Sequence, residues 1–385
     1  FDADNHYYEA LDAFSRHLPA EWGPRTIQWA EIDGRMYHVV GGRVSRAVVN
    51  ATFDPVAKPG VLRDYFRGNP NGDNPIELLK ARDRISPAYR DRDVRLDQLD
   101  DHGLDAVWMF PTLGMIYEEQ LKHDPEAVAV TFKAFNRWVA EDWGFEYKDR
   151  IFAAPYISLA DIDAAVAELR YGLDNGARTV VMRPAAPTTR DGQKPPTHPD
   201  FDPFWALANE AGITVVVHAG DTGYTSNGYA NDGFSSNFKG GIPQPIKFTQ
   251  LERAIEDFLA SLVCDQLFVR FPNLRVASVE NGSGFLRGLF GKLNATANKM
   301  AGWFSEHPVD AFKQNIWINP FWEDDVHELL ELMGPDKILF GSDWPHIEGM
   351  PRPLDYLEEL EGLDADTIDK ITRRNVLELN QLRPA

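Results

Sequence analysis

The chain has 385 residues, 43% hydrophobic and 12% aromatic, with a formal net charge of −20. A surface that acidic argues against nucleic acid and anionic membrane as partners, and the apolar content is enough for one large core with a sizeable insertion. A single cysteine, Cys264, excludes an internal disulfide and fits a reducing cytoplasm, and no apolar run approaches the ~20 residues of a membrane span.

Eight short apolar runs follow one another: Phe1–His6, Leu104–Thr112, Ile151–Ser158, Ala177–Pro184, Ile213–Asp221, Leu274–Ser283, Asn315–Pro320 and Ile338–His346. Several are rich in Val, Ile, Phe and Trp and almost continuously apolar, as strands covered on both faces are. Between them lie helical patterns. Asp93–His102 is short and charged, and Asp124–Asp149 keeps Val128, Phe132, Phe135 and Val139 on one face. Leu159–Asn175 stops at Asn175-Gly176. Phe201–Gly212, Ile246–Phe271, Ser283–Phe304, Asp324–Gly334 and Leu354–Leu379 complete the set. Strand then helix, eight times in one chain, predicts a single α/β domain over residues 1–385, a (β/α)8 TIM barrel. The doubly wound open sheet is the runner-up, but no glycine-rich phosphate turn follows the first strand.

Two stretches interrupt the repeat. Thr26–Asn50 alternates around Asp33-Gly34 and Gly41-Gly42, a hairpin signal. With the loop-like Asn50–Asp91 it forms an expected insertion over about residues 26–91. A second long loop, about residues 222–245, is rich in Gly, Ser and Asn and carries Tyr224, Tyr229, Phe234 and Phe238. It reads either as a surface loop or as an ordered lid or oligomer contact.

In such a barrel the active site lies where the strands end. The first ends Asp4-Asn5-His6, and period two puts Asp4 and His6 on one face, with Glu9 in reach. The fourth ends at Arg183, the fifth at His218, the sixth at Glu280-Asn281-Gly282 and the eighth at Gly341-Ser342-Asp343-Trp344-Pro345-His346. Asp4, His6, Glu9, His218, Glu280, Asp343 and His346 are therefore candidate metal ligands, a mixed nitrogen and oxygen set suited to Zn, Mn, Fe or Co. Singly, each has a plainer explanation: a satisfied core histidine, a turn-capping aspartate, a surface histidine. Jointly, one shared ion is the more economical account. Arg183 either grips a substrate carboxylate or neutralises Glu280. Tyr7, Trp108 and Trp344 are expected to shape the pocket for a small-molecule substrate.

At Asp4-Asn5-His6, Val217-His218-Ala219 and Leu339-Phe340-Gly341-Ser342-Asp343-Trp344-Pro345-His346 the chain resembles the amidohydrolase superfamily, in the branch related to aminocarboxymuconate semialdehyde decarboxylase. The resemblance implies that Asp4, His6, His218 and Asp343 hold a divalent metal, and that Asp343 orients or deprotonates a bound water. The family's first strand usually ends His-x-His or Glu-x-His, and its sixth carries a histidine; here they are Asp4-x-His6 and Glu280. The leading expectation is a metal-dependent hydrolase of a small organic acid, amide, lactone or aromatic substrate. Asp343 would act as base, with Glu280 or His346 returning the proton. Zn suits a mononuclear site, and Fe, Mn or Co a dinuclear one. The alternatives are nonoxidative decarboxylation, a dinuclear iron or mixed-metal oxygenase, and a non-catalytic barrel subunit. By analogy the chain is expected to form a homo-oligomer, or a hetero-oligomer with a related chain.

Overall fold

The computed structural model describes residues 1–48, 50–226, 228–229 and 245–385. The lid or oligomer contact expected at about 222–245 thus lies largely outside the described residues. Seven barrel strands are regular: β1 (Asp2–Tyr7), β2 (Val107–Pro111), β3 (Ile151–Ala153), β4 (Thr179–Met182), β5 (Thr214–His218), β6 (Arg275–Val279) and β7 (Ile316–Ile318). All pair in parallel, β1–β2–β3 in one run and β4–β5–β6–β7 in the other. The runs join where Tyr156, just past β3, pairs with Val181.

The eighth apolar run closes the ring without being a continuous strand. Ile338 pairs with Ile318 and Trp344 with Asn5. The seam is held by Leu339 N–H to Ile318 O, Ala3 N–H to Phe340 O, Asp343 N–H to Asp4 O and His6 N–H to Trp344 O, at 2.8–2.9 Å. Asp343 takes φ +54°, which breaks the pleat at the point where a ligand is presented. The result is a closed (β/α)8 barrel whose strands are buried along their whole length, as in Thr214–His218.

Several expected helices are interrupted for local reasons. The 124–149 pattern ends at Asp142, with Gly144 left-handed just beyond. The 246–271 pattern divides into Pro245–Phe248, Arg253–Cys264 and Leu267–Arg270, the last break falling at left-handed Gln266. The 354–379 pattern stops at Gly362, φ +88°, and restarts where Asp364 caps Ala365–Asp369. No helix among the described residues is long and apolar enough to cross a membrane.

Between β1 and β2, Ile27–Ile32 and Arg35–Val40 pair antiparallel across Asp33-Gly34. The following stretch is more ordered than its Pro- and Gly-rich composition suggests. Val56–Ala57 pairs with Arg82–Asp83. Gly60 N–H and Leu62 N–H donate to His346 O and Ile347 O at 2.9 and 2.7 Å, so this stretch packs onto the end of the eighth segment.

β1 is anchored by Arg95, fully buried in helix Arg92–Asp101. Its guanidinium donates to Ala88 O (2.7 Å), Asn5 Oδ1 (2.5 Å) and His6 O (2.8 Å), and lies over the Trp344 ring at 4.6 Å. Arg95→Leu would leave three buried acceptors unpaired, so urea denaturation is expected to show a loss of about 3 kcal/mol or more. A loss below about 1 kcal/mol would show that water replaces the guanidinium without penalty.

Candidate metal centre

Period-two alternation turns Asp4 and His6 from β1 into the barrel mouth. His218 ends β5, Glu280 directly follows β6, and Asp343 and His346 come from the eighth segment. Donor atoms of Asp4, His6, His218 and Glu280 all lie within 4.8 Å of one another, as do those of His6, Glu280, Asp343 and His346. Asp4 Oδ1 is 3.3 Å from both His6 Nε2 and His218 Nε2. Glu280 Oε2 is 3.5 and 3.3 Å from the same two nitrogens, and Asp343 Oδ1 is 3.4 Å from His6 Nε2.

The partners of the outer ring nitrogens fix the tautomers. His6 Nδ1 faces Pro111 O at 3.2 Å and His218 Nδ1 faces Ala219 O at 2.8 Å. A carbonyl can only accept, so each Nδ1 carries a hydrogen and, in the neutral ring, each Nε2 presents a lone pair to the carboxylates. His6 Nε2 and Asp343 Oδ1 are buried with no hydrogen-bond partner. Lone pairs facing carboxylates in a dry pocket call for a cation, and the donor set fits a divalent one. The backbone carbonyls behind His6 and His218 are the outer contacts that orient ligating imidazoles.

His346 follows the same logic. Thr112 Oγ1 donates to Tyr7 O at 2.9 Å, so its oxygen accepts from His346 Nε2, 3.0 Å away. That leaves His346 Nδ1 bare, 2.6 Å from Asp343 Oδ1. Two lone pairs at that separation need a proton or a metal between them.

Without an ion, charge is forced onto the nitrogen. Burial alone would lower His6, but Asp4 and Glu280 raise it to about 10. Burial pushes the Asp4 carboxyl up, yet His218 and His6 outweigh it and hold it well below the usual carboxylate range. Burial, reinforced by the charge of Glu280, pushes Asp343 far up, and burial with the charge of His6 pushes His346 far down. A metal held here would take over the positive charge that His6 otherwise carries. Both Glu280 and Asp343 sit in left-handed backbone, φ +55° and +54°, strain of the kind that persists where a functional group must be aimed. Gly341 leaves room for this: a Cβ there would stand 2.5 Å from Asp4 Cβ and 2.7 Å from Asn319 Nδ2.

Five expected site residues lie elsewhere. Glu9 stands outside both donor groups; its Oε1 accepts from Leu113 N–H and Gly114 N–H at 2.8 and 3.0 Å, at the start of helix Gly114–Leu121. Tyr7, the odd member of the alternation, points away from the mouth and packs between Trp138 and Trp143. Trp344 is carried behind the site, against Tyr89, His102 and Arg95. Arg183 is buried against acids of the neighbouring helix, Nη1 at 2.6 Å from Glu119 Oε2 and Nε at 3.5 Å from Glu118 Oε2, so it neither neutralises Glu280 nor stands free for substrate. Trp108, also read as lining the pocket, bonds instead to Asn380 in the C-terminal helix. Sequence reasoning overlooked Thr112, which sets the His346 tautomer, and Glu348, whose carboxyl burial and the charge of Glu280 push to about 7. Their signal was position alone, one residue past β2 and two past His346.

A family model described as amidohydrolase matches residues 86–380. Gamma-resorcylate decarboxylase of Rhizobium radiobacter is 23% identical over 299 residues, 76% of this chain and 87% of that protein. An amidohydrolase crystal structure from Mycobacterium avium subsp. paratuberculosis K-10 superposes with a TM-score of 0.93 at 41% identity, covering 100% of this chain and 98% of that one. A dihydroxybenzoic acid decarboxylase from Polaromonas sp. JS666, with bound manganese and the inhibitor 2-nitroresorcinol, has the same fold at a TM-score of 0.55 and 15% identity, covering 83% and 93%.

Two outcomes follow from the geometry. Divalent manganese or zinc is expected to raise the thermal midpoint of the wild type, equivalent to about 2.7 kcal/mol at a hundredfold excess over Kd. Asp343→Asn and His218→Asn should blunt that rise; an equal rise in both variants would place the ion elsewhere. For Glu9, burial lifts the carboxyl from 4.5 to about 7, so the unfolded chain loses this proton first. Wild-type stability therefore falls, relative to Glu9→Gln, as pH rises from about 4.5 to 7, by up to roughly 3 kcal/mol. Paired urea titrations at pH 5 and pH 8 measure the difference, and a gap that does not widen would mean Glu9 ionises normally.

Proposed function

The chain belongs to the amidohydrolase family, and from that premise we propose that it is a divalent-metal-dependent, nonoxidative decarboxylase of a small aromatic carboxylic acid. The observation that carries the reading is the Asp343–His346 contact at 2.6 Å, an acid–base pair beside a metal-competent donor set. The activity of the gamma-resorcylate relative supports decarboxylation over the hydrolysis suggested by the motifs. Among the structural neighbours, the dihydroxybenzoic acid decarboxylase holds manganese, which supports manganese beside zinc as the ion to test.

Asp4, His6, His218 and Asp343 would hold the ion, with Glu280 completing the set. When bound, it supplies the positive charge that lets an anionic substrate approach a mouth lined by carboxylates. The chain's own residues manage the proton. Asp343 Oδ1 and His346 Nδ1 share one hydrogen, and Thr112 keeps the far nitrogen of His346 protonated. That shared hydrogen passes to the substrate carbon bearing the carboxylate, drawing an electron pair from the ring. The bond to the carboxylate then breaks, its electrons restore the ring, and carbon dioxide leaves. The partly exposed edge of His346 returns a proton from solvent. No oxidant takes part.

The two overlapping donor groups, which share His6 and Glu280, favour a second reading in which the cluster would hold two ions, and with it oxygen-activating chemistry. The experiment is anaerobic incubation of metal-loaded enzyme with a panel of hydroxybenzoates in deuterated water. The expected result is carbon dioxide release with one deuterium at the vacated carbon, and a kcat lowered about 10²- to 10⁴-fold in His346→Asn. Oxygen uptake with two metals per chain would instead establish the second reading. Ester or lactone cleavage without carbon dioxide would return the assignment to hydrolysis.

A further inference from the structure

We propose that Asp2 is a positioning residue for the metal centre, setting the angle at which the eighth segment presents Asp343 to the donors of β1. Asp2 shares a face of β1 with Asp4 and His6 but lies one layer below them, fully buried. Its carboxylate collects four hydrogens. Oδ1 accepts from Asp4 N–H at 3.1 Å and from Ser342 N–H at 2.9 Å. Oδ2 accepts from Ser342 Oγ–H at 2.6 Å and from Asn5 Nδ2–H at 3.0 Å. One side chain thus grips the backbone of one ligand, Asp4, and both polar groups of the residue preceding another, Asp343.

The grip extends past Asp343 as well. With its hydrogen committed to Asp2, Ser342 Oγ accepts from Trp344 N–H at 3.1 Å. Asp343 is therefore bracketed on both sides by the hydroxyl that Asp2 orients. This is the residue whose left-handed backbone turns its carboxylate toward His6. On the other flank, Asn5 Oδ1 takes a hydrogen from Arg95 Nη1, which fixes the Asn5 amide so that its nitrogen faces Asp2. An ionised carboxylate, a pure acceptor at both oxygens, satisfies all four donors. An amide would set its own N–H₂ against Asn5 or Ser342, and the Ser342 hydroxyl would have to swing.

The inference rests on the divalent-metal reading, so the test separates the two. Mn²⁺ affinity is measured by calorimetry, and the Co²⁺-loaded protein is read by its visible absorption, which reports ligand geometry independently of turnover. Asp2→Asn should bind Mn²⁺ about 10- to 100-fold more weakly and alter the Co²⁺ bands while keeping a cooperative unfolding transition. Leu262→Ala, a core change in an outer helix, should lower stability yet leave affinity and spectrum as in the wild type. Folded Asp2→Asn with wild-type affinity and unaltered bands overturns the proposal. If Asp2→Asn does not fold, Ser342→Ala, which deletes only the hydroxyl bracket, takes its place. Weaker binding with shifted bands supports the assignment, and unchanged values reject it. Wild-type protein that binds neither ion overturns the metal reading itself, whatever Asp2 does.

Discussion

Three carboxylates and three imidazoles meet in a space with little water, and their repulsion is the constraint that organises the rest. Two like charges about 4 Å apart oppose each other by ~4 kcal/mol at the effective dielectric of a protein interior. Asp4 and Glu280 converge on Nε2 of both His6 and His218, and Asp343 on that of His6, which compounds the conflict. A protonated His6 relieves part of it, and a divalent ion relieves more while drawing the same atoms inward. Everything around the mouth resists the alternative, which is for the donors to turn away. Carbonyls fix His6 and His218, left-handed backbone fixes Glu280 and Asp343, and the missing side chain of Gly341 lets β1 and the eighth segment approach.

The barrel and most of the donor set were legible in the sequence because both follow from short-range rules. Continuous apolar runs mark strands buried on both faces, and a polar residue at the end of such a run has one place to go, the mouth. That is how His218 and Glu280 could be read from chain order alone. Period two also contained the answer for Tyr7: if Asp4 and His6 face in, Tyr7 faces out, and it does. The pairing of Arg183 was not legible, because Glu118 and Glu119 lie more than sixty positions earlier on a helix whose rotation no local pattern sets. Trp344 was misplaced for a similar reason. An extended eighth strand would alternate it predictably, but left-handed Asp343 turns the chain and sends the indole behind the site. Glu9 sits where a ligand could be, yet two free N–H groups at a helix start claimed it first.

Glu280 stands where the resemblance to the family leads one to expect a histidine, and that bears on the balance of the cluster. An imidazole there would be a neutral donor or a proton carrier; a carboxylate adds a negative charge within 3.5 Å of two histidines. In the proposed reaction the proton role would fall to the eighth segment, where the His346 ring lies by that of His6 with centres 4.0 Å apart and reaches Asp343 with the nitrogen that Thr112 does not occupy. The cluster thus has two adjoining halves, with His6 and Glu280 common to both.

The position of the seam gives this cluster its thermodynamic character. Residues 86–380 match the family model, yet Asp4 and His6 lie before that stretch and reach the mouth through pairing with the eighth segment, more than three hundred positions away. A contact of that separation carries a large loop-closure entropy, and it is held by a few backbone bonds, the Arg95 anchor and the Asp2 carboxylate. An ion held by donors from both sides of the seam, as proposed, would couple ring closure to metal binding. The strain at Glu280 and Asp343 is tolerable because the closed ring over-determines both positions.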